Sequence, residues 1–308
     1  MSGASRVLRD SYDLCRLTAR HAGSSFYPCF FLLPRAKRRA MYALYAFLRH
    51  TDDLGDNTAP ASARREALSQ WRASLAAALA GNCSLPTAAA SAQEQSPQDR
   101  LHRGILAALA DTVRQYQIPP EHLYAVIDGV EMDLDPRQYA TFEELEQYCH
   151  RVASAVGLAC LPIWGFRGDQ ALEPARKCGV AFQLTNILRD LKEDAASGRI
   201  YLPLEDLRQC DYSAEDLLAG RADSRFLRLM TGQIDRTRRF YREGAALVDH
   251  LEPDGKRVFG MMTATYRRLL DEIDRRRAEV LTRRIRLSRW QKLAIAARWF
   301  LFAPKNPL

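Results

Sequence analysis

The sequence predicts an all-α protein, and three observations carry that reading. Alternating runs of β-branched residues do not occur. The helix formers Ala, Leu, Arg and Glu dominate. Apolar residues recur at three- and four-residue spacing, segment after segment. In chain order these segments are AMYALYAFL (40–48), HLYAVIDGVEM (122–132), RVASAVGLACLPIWGF (151–166), VAFQLTNIL (180–188) and FGMMTATYRRLLDEI (259–273). Several are apolar around most of their circumference, which suits helices surrounded by other helices.

The breaks between them are legible. Pro28 and Pro34 punctuate the chain before the first segment. Residues 81–99, GNCSLPTAAASAQEQSPQD, read as a solvated loop, polar and with two prolines. Further joints are expected at 118–122, 166–174, 194–199 and 252–257, and none has the length of an interdomain linker. A single helical domain over residues 1–308 is the simplest organisation.

Composition bounds the partners. The chain has 308 residues, 47% of them hydrophobic, so a sizeable core is available. The formal net charge of +8 suggests an anionic partner: nucleic acid, an anionic membrane or a phosphorylated small molecule. The seven cysteines are scattered and form no CxxC pair, which speaks against a zinc site or a disulfide framework and fits a reducing cytoplasm. The first 17 residues lack the apolar core of a signal peptide, and no stretch is apolar over the roughly 18 residues a membrane span needs.

Two acidic patterns point to chemistry. RHTDDLGDN (49–57) places Asp52, Asp53 and Asp56 at the end of an apolar helix. Asp52 and Asp56 lie one turn apart, Tyr45 shares their face, and Asp53 points about 100° away. On VAFQLTNILRDLKED, the residues Gln183, Asn186, Asp190 and Asp194 follow at separations of three, four and four and line one face of a largely buried helix. Asp52 and Asp56 alone would suit a helix end meeting water. Two such stripes, each on an apolar helix, are costly unless paired or bound to a cation. Facing each other, they would make an oxygen-lined cleft suited to Mg²⁺.

With these residues on the page, the sequence resembles the squalene and phytoene synthase family, enzymes that join two prenyl diphosphates head to head. The resemblance runs from about residue 10 to about 295. It is carried by SSFYPCFFLLPRAKRRAMYALYAFLRHTDDLGD, IDGVEMDLDPRQYATFEELEQYCHRVASAVG, AFQLTNILRDLKEDAASGRIYLPLEDL and YRRLLDEI. It implies an isoprenoid-synthase-type helical bundle with a central cavity. It implies Mg²⁺, or Mn²⁺ in its place, on Asp52, Asp56, Asn186, Asp190 and Asp194, with Gln183 and Asn186 also toward substrate. Arg49, Arg189 and Arg199 match positions that contact diphosphate or support the acidic clusters. Tyr148 and Tyr266 match tyrosines lining the reaction centre, and Ser25 and Phe26 the pocket mouth and wall. The resemblance thus makes Tyr148, Tyr266 and Arg189 the catalytic candidates. His21 aligns with a family histidine only across a one-residue gap and is left out of the site.

The chemistry suits such residues. Ionising an allylic diphosphate needs positive charge at the leaving group. The carbocation needs a dry aromatic wall, for which Phe26, Tyr45, Phe182 and Tyr266 are candidates, with Ala153, Ala155 and Gly157 leaving room for prenyl chains. Glu131 and Asp135, one turn apart, read as structural. VIDGVEMDLDPRQYATFEEL and YCHRVASAVGL resemble most the bacterial presqualene diphosphate synthases. The expected substrate is therefore farnesyl diphosphate and the product presqualene diphosphate, or squalene if NADPH is also used. The alternative is phytoene formation from geranylgeranyl diphosphate. Rivals are a non-catalytic membrane-associated relative, which intact acidic motifs argue against, and a type I terpene cyclase.

The C-terminal segment, about 275–308, is basic: Arg275, Arg276, Arg277, Arg283, Arg284, Arg286, Arg289 and Lys292 precede LAIAARWFLF (293–302). It reads as an interfacial helix on an anionic membrane, which places the protein in the cytoplasm at the inner face of the membrane. No nucleic-acid module is present. A monomer is expected.

Overall fold

A computed structural model describes residues 3–24, 26–81, 97–135 and 137–301. Among the described residues the regular elements are helices, with two isolated bridges and no named strand. The chain divides into two compact units.

The first unit takes in the described residues up to Leu134, with Ala159–Trp164. Its helices are α1 (Gly3–His21), α2 (Arg35–Asp56), α3 (Ala61–Leu79), α4 (Pro97–Tyr116) and α5 (Pro120–Met132); a 3₁₀ turn, Tyr27–Leu32, precedes α2. Helix α2 is the hub, packed against α1, α3, α4 and α5. Its buried face includes Met41, Leu44, Phe47, Thr51 and Leu54. Phe47 stacks on the buried Trp71 of α3 at 5.7 Å. The Trp71 indole N–H donates to Thr51 Oγ1 at 3.0 Å, and Thr51 Oγ1 donates to the Phe47 carbonyl at 2.9 Å. That chain of bonds fixes the rotation of α2 one residue before its carboxylates.

The second unit comprises the described residues of Asp135–Leu158 and from Gly165 onward. It contains α6 (Phe142–Cys149), a π turn (His150–Ser154), the start of α7 (Ala155–Trp164), α8 (Leu172–Ala196), the short α9 (Leu204–Gln209) and α10 (Ala214–Leu218), α11 (Ser224–Gly244), α12 (Leu247–His250), α13 (Pro253–Arg275), a 3₁₀ turn (Arg277–Leu281) and α14 (Arg289–Leu301). Helix α8 is its hub and touches the π turn, α11 and α13. Gly179 of α8 lies where the π turn crosses: a Cβ there would stand 2.5 Å from Ser154 Cα and 2.7 Å from Ser154 N.

The expected joints do separate helices, but they are shorter than expected because neighbouring helices run into them. Pro120 and Pro253 occupy the first turns of α5 and α13, and Pro174 the first turn of α8. Proline's fixed φ and missing N–H suit that turn, so these prolines open helices. The expected loop at 81–99 ends earlier, because α4 begins at Pro97; residues 82–96 lie outside the described residues.

Candidate active site

In the first unit, Asp52, Asp53 and Asp56 crown the C-terminal turn of α2 and are exposed. This is the end at which the helix macrodipole is negative, so carboxylates there oppose it and call for a cation. The last carbonyls are already satisfied: Asn57 Nδ2 donates to Leu54 O at 2.9 Å and Arg64 Nη1 to Gly55 O at 2.6 Å. Gly55 sits against Val130 of α5, where a side chain would collide.

Arg49 donates to Asp53 at 2.5 Å. It therefore engages the carboxylate that leaves the Asp52–Asp56 stripe, while Asp52 and Asp56 make no ion pair among the described residues. Asp52 is exposed, yet the protein packed around it displaces part of its hydration. That lost hydration, then the Asp56 charge one turn on, pushes its carboxyl up to about 7. Asp133, to which the sequence reading gave no role, adds to this negative field; Glu131 is held by Arg65 at 3.1 Å. Tyr45 is half-buried, edge-on to Phe30 at 6.0 Å, and desolvation raises its hydroxyl pKa. Phe26 is half-buried, and its N–H donates to Ser24 Oγ at 3.1 Å. Ser25 lies outside the described residues.

In the second unit the predicted stripe forms on α8. Gln183, Asn186, Asp190 and Asp194 are half-buried, while Leu184, Ile187, Leu188 and Leu191 are buried around them. Asn186 Nδ2 donates to Gln183 Oε1 at 3.3 Å. Asn186 Oδ1 is buried without a hydrogen-bond partner, an acceptor awaiting a donor or a cation. Arg189 grips Asp190 with two bonds, Nε to Oδ1 at 2.7 Å and Nη2 to Oδ2 at 2.5 Å. Burial alone would depress the Arg189 guanidinium pKa; Asp190 and the Tyr266 hydroxyl outweigh it and raise it. Tyr266 is buried, which raises its pKa, and its hydroxyl bonds with both Arg189 and Asn186. Its ring lies 4.7 Å from that of Phe182. Tyr266, Arg189, Asn186 and Asp190 thus come together.

Tyr148 is buried just before the π turn, stacked on Tyr201 at 5.3 Å and tilted against Tyr139 at 5.6 Å. Arg199 follows the left-handed Gly198, and its N–H returns to the Asp194 carbonyl at 2.8 Å.

The residue that sequence reasoning misplaced is Arg284. Assigned to a basic membrane segment, it bonds Asp190 instead, with Nε 2.9 Å from Oδ1 and Nη2 3.1 Å from Oδ2. Much of that basic run is neutralised in the same way: Arg275 and Arg276 on the buried Glu272, Arg277 on Asp274 and Arg283 on Glu279. The spacing of arginines carries no signal of a partner this far away in sequence.

The donor set fits a hard divalent cation. The donors are carboxylate and amide oxygens, one of them orphaned and buried, and two carboxylates sit against a helix dipole. Among the described residues no three His, Cys, Asp or Glu side chains converge as a finished cage. Mg²⁺ is commonly held by one or two carboxylates with water and substrate phosphate.

The squalene/phytoene synthase family model matches residues 19–291. A phytoene synthase of Arthrospira platensis is 37% identical over 298 residues, covering 92% of this chain and 90% of the relative. A 15-cis-phytoene synthase of Synechococcus elongatus is 35% identical over 305 residues, covering 95% and 93%. A crystal structure of a dehydrosqualene synthase with ligand superposes with a TM-score of 0.82 at 26% identity, covering 97% of this chain and 99% of that one. The all-α, isoprenoid-synthase-like fold and a prenyltransferase activity are thereby established. The expectation of farnesyl diphosphate and presqualene diphosphate is overturned. The relatives at 35–37% identity across most of the chain are phytoene synthases, and two short stretches are a weaker guide than that full-length agreement.

Proposed function

This chain belongs to the squalene/phytoene synthase family, and on that premise we propose that it is a phytoene synthase, condensing two geranylgeranyl diphosphates 1′-1 to a C40 hydrocarbon. The observation that carries the reading is the full-length agreement with phytoene synthases. Asp52 and Asp56 on α2 would hold Mg²⁺, and so would Asn186, Asp190 and Asp194 on α8; when bound, the metal would supply Lewis-acid charge to a departing diphosphate.

The chain's own residues do the rest. Arg189, Arg199 and Arg49 offer guanidinium forks matched to diphosphate oxygens. Arg189 and Arg284 neutralise Asp190; were a cation to take their place there, both guanidinium groups would be free to turn to phosphate. The C1–O bond of one substrate breaks, leaving an allylic cation. The other substrate's double bond attacks it, and proton loss closes a cyclopropylcarbinyl diphosphate. This ionises again, rearranges and loses a second proton, so the C40 product forms without NADPH. The rings of Tyr266 and Phe182 lie together, and Tyr266 meets Asn186 and Arg189, so their faces would stabilise positive charge and exclude water toward the Gln183–Asn186 end of the stripe.

Membrane contact falls to α14. Trp290, Leu293 and Leu301 are exposed on it, beside Arg286, Arg289 and Lys292, which have no carboxylate partner among the described residues. No helix is long and apolar enough to cross a membrane among the described residues.

The test is product analysis by mass after incubating the protein with Mg²⁺ and geranylgeranyl or farnesyl diphosphate. A C40 product is expected. No product with either substrate would overturn the enzymatic reading, and a C30 product alone would overturn the chain length. Asp52→Asn and Asp190→Asn should each abolish turnover with the circular dichroism spectrum unchanged; full turnover in both would remove the metal sites from the reaction.

A further inference from the structure

The charges at both ends of α2 run against its macrodipole. Its C-terminal turn carries Asp52, Asp53 and Asp56 with no basic residue, and its first turns carry Arg35, Lys37, Arg38 and Arg39 with no acidic one. Positive charge at a helix N-terminus is unfavourable, and like charges three and four residues apart add to the cost. The first end answers to a cation. The second needs an anion.

The structure shows where that anion would sit. A cavity of about 600 Å³ opens in the first unit between α1, the 27–32 turn and the start of α2. Five arginines line it, Arg9, Arg16, Arg35, Arg38 and Arg39, against one carboxylate, Asp13, which lies 3.6 Å from Arg16. Among the described residues, no carboxylate pairs with Arg35, Arg38 or Arg39. Lys37 is already spent on the Trp164 carbonyl at 2.9 Å.

Aromatic rings hold the guanidinium groups in place. Arg39 lies over the buried Tyr12 ring at 4.2 Å, and Arg38 over Phe31 at 5.3 Å. Tyr27 stacks on the buried Tyr42 at 5.7 Å and meets Phe31 edge-on at 5.5 Å. Phe31 is 46% exposed, and Leu8 closes the lining. Forked donors beside an open apolar wall match a phosphate on an apolar group better than a bare anion. Arg38 and Asp52 are about 21 Å apart along α2, at a rise of 1.5 Å per residue, so this is not the carboxylate site.

We propose that this cavity binds a phosphate ester that carries an apolar chain, through Arg35, Arg38 and Arg39 for the phosphate and Tyr27 and Phe31 for the chain. The ester is a membrane lipid's headgroup or a soluble prenyl phosphate, which share this chemistry. The proposal stands whether or not the reaction assigned above is correct.

The test uses the full chain in EDTA, so that no metal-bridged diphosphate can form. Inorganic phosphate, geranyl monophosphate and dihexanoyl phosphatidic acid below its micelle concentration are titrated calorimetrically. Phosphatidylcholine vesicles with and without phosphatidic acid are co-sedimented. The tailed esters should bind at least tenfold tighter than inorganic phosphate. Arg35→Gln with Arg38→Gln should weaken them at least tenfold while turnover persists. Arg38→Lys keeps the charge and loses the fork, and should give a smaller loss. Phe31→Ser removes the apolar wall and the ring under Arg38, and should weaken the tailed esters by a larger factor than inorganic phosphate. Loss of vesicle binding in the double variant assigns the lipid headgroup; loss confined to the soluble esters assigns the free ligand. Identical binding of wild type and variants in both arms, or inorganic phosphate binding as well as the esters, overturns the proposal.

Discussion

Replacing Gly179 by alanine tests how α8 is held. The added methyl would stand 2.5 Å from Ser154 Cα, 2.7 Å from Ser154 N and 2.8 Å from Ser154 Oγ. Carbon atoms in contact prefer about 3.5–4.0 Å, so the π turn or the helix must yield by roughly 1 Å. The obstructing atoms are largely backbone and Ser154 is buried, so no flexible side chain can swing aside. Overpacking of this kind costs about 1–3 kcal/mol. At about 2–4 °C per kcal/mol for a unit of 150–250 residues, a cost of about 2 kcal/mol lowers the melting temperature by about 4–8 °C. Gly232, exposed on α11 with open space around its missing side chain, is the control. Alanine there should stabilise by up to about 1 kcal/mol through helix propensity alone. Both variants are melted side by side by calorimetry. A Gly179→Ala protein melting at or above wild type, or a Gly232→Ala protein falling as far, would refute the close-approach argument.

Three further outcomes are expected. Burial alone would raise the Asp206 carboxyl, but bonds from Arg236 and Gln233 outweigh it and hold it below its ordinary value. Its stabilisation is therefore complete above the unfolded pKa near 3.8 and is lost as pH falls through the lower folded value. The gap in urea midpoint between wild type and Asp206→Asn should be constant above about pH 5 and close below about pH 4; a gap independent of pH would exclude that linkage. Arg284→Gln removes one of two guanidinium groups from a half-exposed pair with Asp190, so the unfolding free energy should fall by less than about 1 kcal/mol while turnover falls about tenfold or more. Unchanged turnover would make the contact structural only. Trp299 is buried against Gly260, where any side chain would collide, so Trp299→Ala should cost about 3–5 kcal/mol of α14 docking. Limited proteolysis should then cut near residue 288, and resistance equal to wild type would show that α14 is held some other way.

Part of the site was legible before any tertiary contact was known. The stripe of Gln183, Asn186, Asp190 and Asp194 is a matter of three- and four-residue spacing, and α8 displays it as expected. Asp53, set aside because it leaves the Asp52–Asp56 face, is the carboxylate Arg49 holds. The prolines marked the joints but not their extent, because a proline that stops one helix also starts another, and local sequence does not say which. The basic C-terminal run was legible only in part, for a different reason. Read alone it is a cluster of free charges; in the structure Arg275, Arg277, Arg283 and Arg284 reach Glu272, Asp274, Glu279 and Asp190.

Helix positions, the apolar faces, the two carboxylate stripes and the family resemblance were all open to reading from residue order. They depend on neighbours within a turn or two, where the 3.6-residue period fixes geometry directly. Packing decided the remainder: that Arg284 meets Asp190 across 94 residues, that Tyr266 closes on Arg189 and Asn186, that Asn186 Oδ1 is left without a partner, and that the arginines beginning α2 gather over Tyr12 and Phe31. Which charges neutralise each other, and which are left for a ligand, depends on which surfaces are brought into contact.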